Sequence, residues 1–198
     1  TENQILLLWR LAPEPVLCFD GDAAGIRAAA RAAERALPLL QPGRSLQFIT
    51  LAAGEDPDSL VSAGGAAAME AVLAAAVPLD RVIWDMETAG KRLDTPERIA
   101  GAEHRLETLA RTIADGKVQY QYRDAFRQRM RALTRDSRAG GGPENVEKTN
   151  ILEHITSTCF GVHTNIFVVH CNAPPASGWC LVKLFPTNES LGKQTFHL

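Results

Sequence analysis

Val16-Leu17-Cys18-Phe19-Asp20-Gly21-Asp22-Ala23-Ala24-Gly25 joins a strand pattern to a helix pattern. Four consecutive apolar residues predict a short buried strand, and the alanine-rich run from Ala23 predicts a helix. Between them, Asp20-Gly21-Asp22 makes the turn, and Gly21 leaves room for a close backbone approach. Asp20 then ends the strand, and Asp22 stands at or near the helix N-cap, where the helix dipole favours a carboxylate. Ligands of open α/β sheets collect beyond the carboxyl ends of the strands, so both acids stand where a ligand is expected. Two hard oxygen donors on a tight turn suit Mg²⁺ or Mn²⁺, and a plain capped acidic turn is the competing reading.

Working outward, residues 2–11 carry Ile5, Leu8 and Trp9 at helical spacing, and Pro13 and Pro15 separate that helix from the strand. The helix after Asp22 extends to about Leu37, where Pro38 and then Pro42-Gly43 close it. Arg27, Arg31 and Arg35 recur along it every four residues, a spacing that reads as a solvated face, with a phosphate-tracking ridge as the competing reading. Residues 45–51 form a second strand pattern that feeds Gly54-Glu55-Asp56-Pro57-Asp58-Ser59-Leu60. A strand-helix-strand unit of this kind has parallel strands and a right-handed crossover. Both strands therefore end on one edge, which brings Asp56 and Asp58 beside Asp20 and Asp22. Four carboxylates crowded together repel unless cations lie between them. As a helix start, Asp56 or Asp58 could also serve as an N-cap.

The motifs Phe-Asp-Gly-Asp-Ala-Ala-Gly (19–25) and Gly-Glu-Asp-Pro-Asp-Ser-Leu-Val (54–61) resemble the second and third acidic motifs of the TOPRIM domain in bacterial DnaG-type DNA primases. The likeness runs from about residue 1 to about residue 133. It implies an α/β fold: a partial TOPRIM-type parallel sheet with flanking helices, followed by an α-helical subdomain. It also implies that Asp20, Asp22, Asp56 and Asp58 hold the divalent metal, Mg²⁺ or Mn²⁺, used in nucleotidyl transfer. The implied activity is synthesis of RNA primers on a single-stranded DNA template from ribonucleoside triphosphates, with a replicative helicase as partner of the full-length family. The family's first TOPRIM motif, a glycine-flanked glutamate, would lie upstream of Thr1, as would its zinc-binding domain and basic subdomain. No catalytic residue is therefore assigned here, and the chain alone is expected to show little or no primase activity.

The expected divisions are 1–76 for the later part of the TOPRIM domain, 77–138 for the helical subdomain and 139–198 for an unrelated tail. Residues 64–76 predict a short helix with Met69 as core filler, and Val82, Ile83 and Met86 continue an apolar face from which Trp84 departs. Asp94-Thr95-Pro96-Glu97 starts a helix that Asp115-Gly116 is expected to end. His104 lies on it with no matching ligand and reads as a surface residue. The last helix bears an apolar stripe through Val118, Tyr122, Phe126, Met130 and Leu133, and a dense basic face. On that face Arg123, Arg127 and Arg131 are the candidate nucleic-acid contacts, against the plainer reading of a charged solvated surface.

Every arginine lies at or before Arg138, and alanine gives way beyond it to Asn, Thr, His and Cys. Residues 139–143, Ala-Gly-Gly-Gly-Pro, form a junction. Two strand patterns, 165–170 and 179–185, flank a turn-rich segment. Cys159, His163, His170, Cys171 and Cys180 match no ordinary zinc module, for want of a Cys-x-x-Cys knuckle.

The 198 residues carry a formal net charge of −2, so any nucleic-acid contact must come from a local patch. No run of about eighteen apolar residues predicts a membrane span. The start lacks a basic leader and an initiator Met, and Cys18 reads as a small buried hydrophobe, which together predict a cytoplasmic protein and a piece of a longer chain. A haloacid-dehalogenase-like phosphatase would use Asp20 as a phosphoryl nucleophile, but Ala23-Ala24-Gly25 supplies no nearby hydroxyl and the second acidic pair goes unexplained. A non-catalytic scaffold derived from a primase is the third reading.

Overall fold

The computed structural model describes residues 1–19, 21–51, 57–138, 166–170, 180–184 and 195–197. Helix α1 (Glu2–Leu11) opens with a capping box, in which the Thr1 hydroxyl accepts from the Gln4 backbone N–H and the Gln4 side chain reaches back to the Thr1 backbone. Its Ile5, Leu8 and Trp9 are buried as their spacing predicts. The Trp9 indole Nε1 donates to the Ser45 carbonyl at 2.8 Å, tying α1 to the segment that enters the second strand.

Strand β1 (Val16–Phe19) is buried at all four positions, the pattern of a strand covered on both faces. Helix α2 (Ala23–Ala36) follows, and a 3₁₀ turn, Leu37–Leu39, closes it at Pro38. Strand β2 (Gln47–Thr50) pairs parallel with β1, Val16 opposite Gln47 and Phe19 opposite Thr50. Alternate residues then serve opposite faces of the sheet. Leu17, Phe19 and Phe48 join the core under α2, with the Phe19 and Phe48 rings stacked at 6.0 Å. Val16, Cys18, Ile49 and Leu51 face the other layer. The buried alanines Ala28, Ala29, Ala33 and Ala36 let α2 lie close on the first face.

Helix α3 (Pro57–Ala74) covers the second face through Val72 and Leu73. It joins the expected helix start after Asp56 to the expected 64–76 helix, and Gly65 at φ 64° makes the kink between them. Met69 is buried, as core filler should be. Val77 and Pro78 add a two-residue strand β3 (Val77–Pro78), antiparallel to β2 with Phe48 opposite Val77.

Helices α4 (Leu79–Thr88), α5 (Pro96–Arg111) and α6 (Gly116–Arg138) continue the core built on the α2 side. Thr95 caps α5, accepting from the Arg98 backbone N–H. The helix ends at Arg111, and Asp115, expected to terminate it, instead caps α6 by accepting from the N–H groups of Lys117 and Val118 at 2.9 and 3.0 Å. Trp84 is buried although it lies off its own helix stripe, because Phe126 of α6 covers it at a ring separation of 6.5 Å. Tyr122 meets Phe126 edge-on at 5.8 Å, and Met130 is 1% exposed. Burial of each such large side chain contributes roughly 1.5–3 kcal/mol.

Strands β4 (Ile166–His170), β5 (Cys180–Leu184) and β6 (Thr195–His197) form an antiparallel meander. β4 runs antiparallel to β1, Val16 opposite Val169. The described strands thus make one sheet in the order β3-β2-β1-β4-β5-β6. The fold is α/β as expected, and within this mixed sheet β1 and β2 are the parallel pair. No described helix is long and apolar enough to cross a membrane.

Candidate metal edge and nucleic-acid interface

The parallel register fixes where the acidic segments leave the sheet. Phe19 and Thr50 are partners at the ends of β1 and β2, and the Leu51 N–H donates to the Phe19 carbonyl at 3.0 Å. Asp20 follows Phe19 directly in the chain, and residues 52–56 follow Leu51. Asp20 and Asp56 lie outside the described residues. Asp58 falls in the first turn of α3, with its backbone described.

Asp22 is described in full and is exposed. Its Oδ1 accepts the Gly25 backbone N–H at 2.6 Å, making it the N-cap of α2 as its position after the turn predicts. That bond occupies one carboxylate oxygen and leaves the other for a hard cation, so cap and ligand are compatible roles for one side chain. Among the described residues, no group of three His, Cys, Asp or Glu side chains gathers to hold a metal. Of the four acids expected at the rim, the described residues hold the Asp22 side chain and the Asp58 backbone. The tail Cys and His side chains also lie outside what the structure describes.

The basic row on α6 divides into residues with different duties. Arg129 reaches across to Asp80 of α4, an ion pair that locks α6 onto α4. Arg123 is half-buried and donates to Glu107 Oε1 of α5 at 2.7 Å. Arg127 and Arg131 are exposed, and with Arg123 they line one groove between α5 and α6 whose floor is Leu106 and Phe126. The structure thus brings Arg123, Arg127 and Arg131 together, and it adds a partner that the sequence pattern did not single out. Glu107 accepts from Arg111 at 3.2 Å as well as from Arg123, and Arg127 lies 4.0 Å away. The Arg111 hydrogen bond leads in holding its carboxyl below the ordinary glutamate value. The i,i+4 spacing of Glu107 and Arg111 was the available sequence signal.

Other ionisable groups serve packing. Burial pushes the Asp85 carboxyl up, against the opposing pull of Arg81, whose Nε donates to both carboxylate oxygens at 3.1 and 3.2 Å. Burial likewise pushes the Tyr122 phenol up, assisted by Asp80. Burial pushes Glu87 up too, but Arg105 at 2.5 Å and Lys91 at 2.9 Å overcome it and leave the carboxyl lowered. His104 is exposed, and so are Arg27, Arg31 and Arg35, as a solvated face requires.

A DNA primase of Rickettsia bellii is 35% identical to this chain over 130 residues, 66% of the chain. The solved DnaG catalytic core superposes with a TM-score of 0.61 at 34% identity, covering 66% of this chain and 42% of that one. The matched portion is a DnaG-type primase fragment. No family model matches. A DnaG primase catalytic domain bound to single-stranded DNA is similar at a TM-score of 0.60 and 34% identity, covering 65% of this chain and 41% of that chain. The chain spans 22% of the length of the Rickettsia primase and less than half of each solved primase core. These matches favour the primase reading of the chain over the phosphatase one.

Proposed function

We propose that this chain supplies the acidic metal edge of a primase catalytic core, which synthesises RNA primers on single-stranded DNA from ribonucleoside triphosphates. The observation that carries the reading is the parallel pairing of β1 with β2, Phe19 opposite Thr50, because it directs the segments bearing both acidic motifs to one sheet edge. Asp20, Asp22, Asp56 and Asp58 are the proposed holders of Mg²⁺ or Mn²⁺. A divalent ion bound there would neutralise triphosphate oxygens and ease loss of the attacking hydroxyl's proton. Asp22 serves in two ways: its cap bond to Gly25 fixes the start of α2 and so orients the free carboxylate oxygen. Arg123, Arg127 and Arg131 on α6 are the proposed contacts for the strand's phosphates. Polymerisation is proposed for the assembled core, with a replicative helicase as partner of the full-length protein and the cytoplasm as its compartment.

The test is Mn²⁺ titration of the whole chain followed by electron paramagnetic resonance. Bound Mn²⁺ that is lost in the Asp20→Asn/Asp56→Asn double variant supports the assignment. Metal binding that survives both changes overturns it and favours the scaffold reading.

A further inference from the structure

The groove between α5 and α6 carries more positive charge than its own carboxylates balance. Residues 123, 127 and 131 lie one helical turn apart on α6, so their guanidiniums form a row with a rise of about 6 Å between neighbours. On the facing wall, a single oxygen, Glu107 Oε1, meets Arg111 at 3.2 Å, Arg123 at 2.7 Å and Arg127 at 4.0 Å. Glu103 and Glu107 are the carboxylates that line the groove, against Arg123, Arg127 and Arg131, so the lining keeps an excess of positive charge that a further anion would offset. Arg131 lines the same groove and has no carboxylate within ion-pair distance among the described residues.

A second observation points the same way. Arg123 Nε is buried and has no hydrogen-bond partner among the described residues, although the same guanidinium donates through a terminal nitrogen to Glu107. Buried donors are nearly always satisfied, so this one lacks an acceptor that the described residues do not themselves provide. The groove measures about 250 Å³, enough for a small oxyanion and part of what it is attached to. Its floor, Leu106 and Phe126, is apolar and nearly closed to solvent, which strengthens charge-assisted hydrogen bonds made above it.

We propose that this groove is a phosphate subsite for a nucleic-acid strand. Arg127 and Arg131 hold the phosphate, Arg123 positions the group from the wall, and Glu107 is the internal anion that holds the guanidiniums together when no phosphate is present. Guanidinium forks suit this task because they give phosphate oxygens paired, directional donors. The proposal deepens the nucleic-acid part of the function proposed above and is independent of the metal edge.

Binding of fluorescein-labelled (dT)₁₂ to the whole chain is measured by anisotropy against salt concentration, in EDTA so that metal plays no part. The Arg127→Gln/Arg131→Gln variant is expected to bind at least tenfold more weakly, and its log–log salt slope is expected to be shallower by about 0.7 for each arginine removed. Glu107→Gln, which removes the internal anion, is expected to bind several-fold more tightly, with unchanged circular dichroism. Arg27→Gln/Arg31→Gln, on the exposed row of α2, is expected to keep the wild-type slope. If wild-type affinity and slope persist in Arg127→Gln/Arg131→Gln, the groove assignment is wrong while template binding by the chain stands. No binding of (dT)₁₂ by the wild-type chain sinks both.

Discussion

The acidic edge and the arginine groove are assembled by opposite means. At the proposed edge, backbone topology would do the gathering: two parallel strands end side by side, and the acidic segments come next in the chain. In the groove, side-chain packing does it, since Glu107 and Arg123 belong to different helices and meet through the Leu106–Phe126 floor. An edge made by strand pairing tolerates changes in its ligands, whereas a groove made by packing fails with its floor. The two charge signs also lie on different elements, which lets a metal and a polyanion be held without direct competition.

Phe126→Ala should separate the two regions most strongly. The ring is 4% exposed and lies against both Trp84 and Tyr122, so its loss opens a cavity between α4 and α6 costing about 3–5 kcal/mol in urea unfolding. Below its unfolding midpoint, the variant should keep Mn²⁺ affinity and lose (dT)₁₂ affinity. Equal loss of both would show that the edge depends on the same packing as the groove.

The same division explains what the sequence made legible. β1, α2 and β2 could be read directly, because an unbroken apolar run, an Asp cap and an alanine-rich helix are local signals. The parallel pairing of β1 with β2 followed from them by the rule that such crossovers are parallel. Trp84 lay off its helix stripe, and what it contacts arrives some forty residues later as Phe126. β3 escaped notice because Val77-Pro78 has no strand pattern of its own and exists by pairing with β2. Asp115 illustrates a local ambiguity: Asp-Gly between two helical runs can end one or cap the next, and only the bonds to Lys117 and Val118 decide. The convergence of three arginines on Glu107 is tertiary, and composition showed only that the helix was basic.

Asp22 allows a finer cut within the edge, between cap and ligand. Asn caps a helix about as well as Asp, and Ala does not. Asp22→Asn should therefore change stability by only a few tenths of a kcal/mol while weakening Mn²⁺ binding. Asp22→Ala should weaken metal binding and also lose about 1 kcal/mol of stability through the Gly25 N–H left without its partner. Chemical unfolding and metal titration of both variants check this. If Asp22→Asn binds Mn²⁺ as wild type does, Asp22 is a cap and nothing more.

The smallest expected effect is a pH dependence of the ion pairs along the helical region. Asp94 is held down to about 2, first by Arg98 and then by Arg92, and Glu87 and Glu107 are also lowered. A carboxyl with a lower pKa in the folded state binds fewer protons there than in the unfolded chain. Its stabilising contribution is therefore present above the unfolded value and fades as pH falls through the folded one. For Asp94 that window runs from 3.8 down to about 2. Asp85, raised by burial, acts in the opposite sense: it favours folding at low pH, and that contribution fades as pH rises through its folded value. Carboxyl titration by NMR should give Asp94 a midpoint near 2, and Asp94→Asn should flatten the acid limb of the stability curve only slightly, because the pair is exposed and solvent screens it.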